Sequence, residues 1–192
     1  MTQTIGLFFG SFNPVHIGHM AIAEYIYEFS DIDQLWFVVS PQNPLKRRKN
    51  LLADHHRLEM VYLAIDDDPR FRVSDIEFHM PKPSYTVDTL AYFSGKYPDY
   101  EFVMILGADN LVSFDKWKNC ELLAEKYKRL VYPRHGVSEE EMKKHKNIEV
   151  IPAPKIEVSS SFIREAIKDG KRVRYFLPEK VYKYIDEMNF YR

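Results

Sequence analysis

Short, continuously apolar runs alternate along this chain with stretches in which apolar residues recur at the period of a helix. Such runs are typical of parallel strands, which are buried on both faces of a sheet. Six of them predict strands, at residues 5–9, 35–39, 71–73, 102–106, 129–132 and 148–151. Because helical stretches separate strands along the chain, we expect right-handed crossovers and a parallel sheet.

Helical periodicity and end signals predict the elements that lie between and after these strands. Apolar spacing predicts one helix through Ile22, Tyr25, Ile26 and Phe29, and another, capped by Asp54, through Leu58, Val61, Tyr62 and Ile65. End signals predict helices from Thr86 or Asp88 towards Tyr97, after the capping box Ser138–Glu141, from Ser161 to Lys168 before Gly170, and from Pro178. Together they predict one doubly wound α/β domain over residues 1–192, with a small helical C-terminal part at about 159–192.

In a doubly wound sheet, ligands bind beyond the carboxyl ends of the strands. The loops that begin at Gly10, Pro41, Gly107 and Pro133 follow predicted strands, so we expect the functional residues there.

Composition narrows the class of protein. The chain has 192 residues, 45% of them hydrophobic, with 27 Lys and Arg against 28 Asp and Glu. This near-neutral balance provides no basic field for nucleic acid, so nucleic-acid binding is not expected. No apolar run approaches the roughly 20 residues that span a bilayer, and residues 2–9 lack the basic region of a signal peptide. A single cysteine, Cys120, suits a reducing compartment, and we expect a cytoplasmic protein with no membrane partner.

The loop after the first strand carries the clearest chemistry. It reads Gly10-Ser11-Phe12-Asn13-Pro14-Val15-His16-Ile17-Gly18-His19. Two histidines three positions apart at a helix start share one face, where free backbone N–H groups and the helix dipole favour an anion. Gly18 allows a bulky group to approach the backbone. A capped helix with two surface histidines is the structural alternative, and a metal pair lacks a carboxylate or cysteine at ligand spacing.

A second candidate segment lies near the C-terminus, where Val158-Ser159-Ser160-Ser161-Phe162-Ile163-Arg164 opens a helix. The serines can cap that helix and donate hydrogen bonds to phosphate, while Arg164 adds a cation one turn later. A serine-rich helix start is ordinary by itself. What makes it specific is its position in the chain relative to the loop at residues 10–19, the histidine loop.

These two segments resemble the (H/T)xGH and ISSTxxR-like motifs of the nucleotidyltransferase superfamily, which implies a Rossmann-like nucleotidyltransferase fold. Three further segments, at 84–90, 106–110 and Trp117, are similar to the bacterial nicotinate-nucleotide adenylyltransferases. The resemblance extends from Gly6 to about Tyr184. The usual first loop of that family is closer to GGTFDPxHxGH, so this chain departs from it most visibly by having Asn13 in place of Asp.

The resemblance implies transfer of the adenylyl group of ATP to nicotinate mononucleotide, with Mg²⁺ carried by the ATP phosphates and no dedicated metal ligands. The catalytic residues it implies are His16, His19, Lys46 and Arg164. The ATP-binding residues it implies are Gly10, Ser11, Phe12, His16, Gly18, His19, Gly107, Asp109, Ser159, Ser160, Ser161 and Arg164. The substrate-binding residues it implies are Asn13, Lys46, Thr86, Trp117, Lys118 and Arg134.

Within the substrate set, the resemblance implies that the Trp117 ring stacks on the pyridine ring of nicotinate. It also implies that backbone N–H groups near Thr86 and Lys118 bind the nicotinate carboxylate, and that Arg134 reaches the mononucleotide phosphate.

Three alternatives remain at this stage. Phosphopantetheine adenylyltransferases share both phosphate motifs, but the segments at 85–88 and Trp117 argue against them. The sequence His16-Ile17-Gly18-His19 also matches class I aminoacyl-tRNA synthetases, although no KMSKS-like segment is present. A non-catalytic nucleotide sensor would not need the transition-state donors, all of which are retained here.

The oligomeric state is open. The tail is rich in aromatic residues that can cover either the core or an interface in a homo-oligomer, and we expect core packing from Tyr175, Phe176, Tyr182, Tyr184, Phe190 and Tyr191.

Overall fold

One parallel sheet of six strands forms the centre of the computed structural model, which describes residues 2–41 and 51–192. The strands are β1 (Gln3–Gly10), β2 (Gln34–Val39), β3 (Phe71–Ser74), β4 (Tyr100–Gly107), β5 (Arg129–Tyr132) and β6 (Ile148–Val150). Their order is β3-β2-β1-β4-β5-β6, and every neighbouring pair is parallel. The predicted α/β class and the predicted parallel sheet are therefore confirmed, since each apolar run forms a strand.

Helices cover the sheet between and after the strands. They are α1 (Ile17–Phe29), α2 (Asp54–Ile65), α3 (Thr86–Lys96), α4 (Ala108–Leu111), α5 (Cys120–Lys126), α6 (Glu139–Lys143), α7 (Ser160–Lys168) and α8 (Glu179–Glu187). Short 3₁₀ helices occupy Ile76–His79, Phe114–Lys116 and Arg174–Phe176. The sequence did not predict α4, α5 or the 3₁₀ helices, because segments of seven residues or fewer hold too few turns to display a helical period.

Two apolar layers lie on opposite faces of the sheet, as alternation along a strand requires. In β1, Leu7 belongs to the layer beneath α3, whereas its neighbour Phe8 belongs to the layer beneath α1, α2, α7 and α8. The aromatic tail joins the second of these layers as predicted, with Tyr175 as the exposed exception. None of the helices in the described ranges is long and apolar enough to cross a membrane.

The predicted apolar face of α2 is buried except at one position. Val61 and Ile65 are buried and Leu58 packs against the core, but Tyr62 is 49% exposed. Arg57 is buried on this side of the helix as well, where its guanidinium donates to backbone carbonyls. A rule that counts only apolar residues cannot anticipate a buried arginine.

The strand order reverses between β1 and β4, which are direct neighbours although they are far apart in sequence. Crossover connections leave these two strands in opposite directions across the sheet, so a crevice opens at their carboxyl ends. Gly10 ends β1 and Gly107 ends β4, which places the two predicted nucleotide loops on either side of this crevice.

Candidate active site

The two motif histidines form a stacked pair at the start of α1. His16 is the N-cap residue, and its ring lies 3.7 Å from that of His19, centroid to centroid, at an angle of 27°. The His16 backbone N–H donates a hydrogen bond of 3.2 Å to Nδ1 of His19. Because this nitrogen accepts, neutral His19 carries its proton on Nε2, which makes Nε2 a hydrogen-bond donor.

His16 is neutral in the free protein. The residue is 3% exposed, and its burial lowers the pKa from 6.5 to about 4, with a smaller contribution from the charge of Arg134. Its Nδ1 is buried and has no hydrogen-bond partner within residues 2–41 and 51–192. A buried polar atom without a partner is costly, so it commonly marks a place where a ligand binds.

Two glycines allow this packing. A Cβ on Gly18 would lie 3.0 Å from Nδ1 of His16, so the bulky group that approaches this backbone is the His16 ring itself. A Cβ on Gly10 would lie 2.7 Å from the ring of Phe12, which is fully packed and adopts a positive φ of 44°. The Phe12 ring supports His19 from the protein interior at a centroid distance of 5.1 Å. Since this side chain is buried, only its main chain is available for the predicted ATP contact.

The C-terminal motif is bonded directly to the histidine loop. Ser159 caps α7 by accepting from the N–H of Phe162, while Ser160 Oγ donates to the carbonyl of Pro14 at 2.8 Å. Arg164 donates from Nη1 to the carbonyl of Asn13 at 2.7 Å and from Nη2 to Ser161 Oγ at 3.1 Å. The fold therefore brings together the two motifs, which are about 150 positions apart in the sequence.

Asp109 and Arg134 lie near the histidine pair, beyond the ends of β4 and β5. The Asp109 carboxylate folds over Gly107, where a Cβ would approach its Oδ1 to 2.5 Å. Arg134 stands 3.9 Å from the same oxygen, Nε to Oδ1, and 5.3 Å from the centre of the Tyr132 ring. The charge of Arg134 also acts on His16, so Arg134 lies close to residues predicted for ATP.

A third region surrounds the start of α3. Lys118 Nζ forms an ion pair of 2.8 Å with Asp88 and lies 4.6 Å above the ring of Tyr85, which brings the chain after Trp117 to the first turn of α3. Beside it lies a cavity of about 380 Å³. The residues that line this cavity are Met80, Pro81, Lys82, Pro83, Ser84, Tyr85, Asp88 and Lys118.

Trp117 itself is half-buried. Its ring packs on Phe114 with centroids 5.4 Å apart, and its indole Nε1 is buried without a partner among the described residues. Its own backbone N–H is bonded to the Phe114 carbonyl, so the Lys118 N–H is the candidate donor to a carboxylate from this segment.

Comparisons with known proteins agree with this geometry. The model of the cytidylyltransferase-like family matches residues 7–166. A probable nicotinate-nucleotide adenylyltransferase from Flavobacterium johnsoniae is 51% identical over 190 residues, which cover 98% of each chain. One from Bacteroides fragilis is 50% identical over 180 residues, covering 94% of this chain and 90% of that protein.

This chain belongs to the nicotinate-nucleotide adenylyltransferase family.

A solved structure agrees with the fold. The nicotinic acid mononucleotide adenylyltransferase of Plasmodium falciparum, complexed with NaAD, superposes with a TM-score of 0.85 at 23% identity. The match covers 98% of this chain and 97% of that one. The predicted family and the predicted enzyme class, a nucleotidyltransferase of the Rossmann-like type, are thus confirmed.

Two predicted site residues of this adenylyltransferase need separate comment. Lys46 falls at 42–50, outside the described residues. Asn13 is 3% exposed, and its Oδ1 accepts from the Leu52 N–H at 3.2 Å and from the Tyr191 hydroxyl at 2.8 Å. These bonds favour a role inside the protein, and the substrate contact of Asn13 stays a prediction.

Arg57, which was not among the residues predicted from the sequence, organises the edge of the site. Its guanidinium is fully buried and donates to the carbonyls of Ser11 at 2.6 Å and Ser40 at 2.8 Å, and from Nε to that of Leu52 at 3.1 Å. It also donates to the Asp54 carboxylate at 2.6 Å, which supplies the opposite charge. One feature of the sequence was consistent with a buried Arg57, because this residue stands four positions before Val61 and so shares the buried face of α2.

Glu77 was missed as well. This buried carboxylate accepts from Ser84 Oγ and Thr89 Oγ1, both at 2.9 Å, and from the side chain of Ser40. Burial raises the pKa of Glu77, and the hydrogen bonds oppose that shift. The carboxylate thereby joins the end of β2 to the start of α3, and so fixes the helix that carries Thr86.

Candidate metal ligands are not clustered in the described part of the chain. In residues 2–41 and 51–192, no group of three or more His, Cys, Asp or Glu side chains is arranged to hold a metal ion. His16, His19 and Arg164 present imidazoles and a guanidinium, which suit phosphate oxygens better than a hard cation.

The buried His16 predicts a specific loss of stability in acid. In the unfolded chain this histidine has a pKa near 6.5, and in the folded protein near 4, so the unfolded state binds more protons between these values. The stabilisation is complete above pH 6.5 and is lost as the pH falls towards 4. We expect His16→Gln to remove about 2–3 kcal/mol of this acid sensitivity, measured by denaturant unfolding at pH 7.5 and 4.5.

The exposed His79 provides the matched control, since its side chain is 69% accessible. His79→Gln should keep the wild-type difference between the two pH values. Equal differences for wild type and His16→Gln would contradict the assignment of a neutral, buried His16.

Proposed function

We propose that this adenylyltransferase joins ATP and nicotinate mononucleotide through the crevice between β1 and β4. The phosphate oxygen of the mononucleotide attacks the α-phosphorus of ATP, the bond from that phosphorus to the bridging oxygen breaks, and pyrophosphate leaves. The products are nicotinate adenine dinucleotide and pyrophosphate, in NAD biosynthesis. No covalent enzyme intermediate is needed, so catalysis rests on positioning and on stabilising charge.

The stacked histidine pair is the observation that carries this proposal. It stands at the start of α1, where first-turn N–H groups and the dipole favour phosphate. His19 presents a donating Nε2–H, and the His16 ring beside it is buried and neutral. Arg164, on α7 and bonded to the carbonyl of Asn13 in the same loop, adds a permanent positive charge.

The nicotinate group of the mononucleotide is assigned to the region around the start of α3. Thr86 begins α3, and the backbone segment after Trp117 lies beside that helix start, where Lys118 pairs with Asp88. Backbone N–H groups of Thr86 and Lys118 would bind the carboxylate, with the exposed part of the Trp117 ring against the pyridine. Arg134 and Asp109, beside His16, would then contact ATP or the bridging phosphates.

ATP enters as its Mg²⁺ complex, so the metal arrives as part of the substrate, and Lys46 would contact the phosphates from residues 42–50. The single cysteine of the chain suits a reducing compartment, and we place the reaction in the cytoplasm.

Pyrophosphate release tests the function directly. Purified protein is given ATP and Mg²⁺ with nicotinate mononucleotide, nicotinamide mononucleotide or phosphopantetheine, one at a time. Release with the first substrate supports the proposal. Release only with phosphopantetheine would identify the related adenylyltransferase, and ATP binding without release would identify a nucleotide sensor.

His19 should act mainly in the transition state. Removing its Nε2–H donor in His19→Ala should lower kcat by about 10²- to 10³-fold, as for other donors that meet developing charge. The fold should persist, which circular dichroism and the unfolding midpoint can verify. A kcat close to that of wild type would exclude His19 from the chemical step.

The pocket should prefer the acid to the amide. A carboxylate accepts hydrogen bonds from both N–H donors, whereas a carboxamide turns an NH₂ towards one of them and leaves that donor without an acceptor. One lost pairing and one lost charge-assisted bond give a kcat/KM ratio of roughly 10²–10⁴ in favour of nicotinate mononucleotide.

Two variants of Lys118 separate the contribution of its backbone N–H to the acid preference from that of its side chain. Lys118→Ala should leave the ratio nearly unchanged, because its ion pair with Asp88 is solvent-exposed. Lys118→Pro should reduce the ratio, since proline has no N–H to donate. A wild-type ratio near one would contradict the pocket assigned here.

A further inference from the structure

The penultimate residue of the chain reaches the histidine loop. The Tyr191 hydroxyl donates a hydrogen bond of 2.8 Å to Oδ1 of Asn13, across 178 positions of sequence. The same oxygen accepts the N–H of Leu52 at 3.2 Å, so both of its lone pairs are engaged by protein donors. Asn13 lies three residues before His16 and is therefore well placed to set the path of the loop into α1.

The contact is partly buried and lies near two charges. Asn13 is 3% exposed and Tyr191 is half-buried, and burial raises the pKa of Tyr191 above its ordinary range, although the nearby charges of Arg164 and Arg57 oppose this. The hydroxyl thus remains protonated at physiological pH and acts as a donor. Loss of this bond takes one protein donor from the buried amide oxygen of Asn13, which is costly.

The backbone of Asn13 is held at the same time. Its carbonyl accepts from Arg164 Nη1 at 2.7 Å, and the next carbonyl, that of Pro14, accepts from Ser160. The Tyr191 bond adds the side chain of Asn13 to these constraints, so the residue is fixed through both its backbone and its amide. A displacement of about 1 Å at reacting groups is enough to cost orders of magnitude in rate.

We propose that Tyr191 is a positioning residue for adenylyl transfer: its hydroxyl fixes Asn13 and so holds the loop of residues 11–16 with His16 and His19 in their reactive placement. The inference rests on the proposed function, because it assigns a role within that same reaction. The C-terminal part of the chain would then position the site in addition to covering the core.

Tyr184 provides a matched control on the same C-terminal part of the chain. Its hydroxyl bonds to Nδ1 of His56 at 2.8 Å, so it also ties the tail to α2, but among residues 2–41 and 51–192 it makes no hydrogen bond to the histidine loop. Tyr184→Phe and Tyr191→Phe each delete one buried or half-buried hydroxyl and keep the ring. Their effects on the unfolding midpoint should be similar, whereas their effects on catalysis should differ.

Steady-state kinetics with ATP, Mg²⁺ and nicotinate mononucleotide give the first test. We expect Tyr191→Phe to lower kcat by roughly tenfold while the KM for nicotinate mononucleotide changes less than about twofold, because the proposed nicotinate region at Thr86, Trp117 and Lys118 is untouched. Tyr184→Phe should keep kcat within about twofold of wild type. Equal kcat values for the two variants, with wild type active, would overturn the proposal.

A double-mutant cycle shows whether Tyr191 acts through Asn13. In the Asn13→Ala background the hydroxyl has lost its acceptor, so adding Tyr191→Phe should change kcat by less than about twofold. A full tenfold loss in that background would overturn the route through Asn13.

Hydrogen exchange of the free protein gives a measurement that needs no activity. Amides of residues 11–16 should exchange several-fold faster in Tyr191→Phe than in Tyr184→Phe, without nucleotide. Unchanged exchange in both variants would overturn the proposal even if the wild-type enzyme proved inactive on nicotinate mononucleotide. An inactive wild type with the predicted exchange difference would instead refute the proposed function and retain the mechanical role of Tyr191.

Discussion

The buried guanidinium of Arg57 is the constraint on which the site depends. It gathers the carbonyls of Ser11 and Ser40, which follow two adjacent strands, and that of Leu52 before α2. Burying a charge is expensive unless it is paired and fully hydrogen-bonded, and here Asp54 and the carbonyls meet both conditions. Arg57 thereby holds three chain segments in one arrangement at the edge of the sheet. One of these segments is the histidine loop, so its backbone path depends on Arg57.

The histidine loop is consequently held from several directions. Arg57 donates to the carbonyl of Ser11, and the Phe12 ring fills the space above Gly10. From α7, Arg164 donates to the carbonyl of Asn13 and Ser160 to that of Pro14. Such a loop need not reorganise when charge develops on phosphate, which is the condition for effective electrostatic stabilisation. The positive φ of Phe12 is a strained conformation for a bulky residue, and its ring is packed against those of Phe8 and Phe37.

The two regions proposed for the substrates are held by different interactions. The loop after β1 is held by arginine–carbonyl bonds, whereas the start of α3 is held by Glu77, whose buried carboxylate joins Ser84 and Thr89. The strand order reverses between β1 and β4, and a crevice at such a reversal is the usual ligand site of a doubly wound sheet.

The sequence by itself determined the strands, the class of fold and the motif residues, because each of these signals is local. Continuous apolar runs identify buried strands, His16-Ile17-Gly18-His19 with the serine segment points to the nucleotidyltransferase superfamily, and the segments at 84–90, 106–110 and Trp117 point to the family. Contacts between distant positions were decided only by the tertiary structure. Nothing in the residues next to Tyr191 indicates that its hydroxyl bonds to Asn13, and the apolar period of α2 could not show that Arg57 turns inward. His16 is neutral for the same reason, since a pKa depends on burial, and burial is a property of the packed chain.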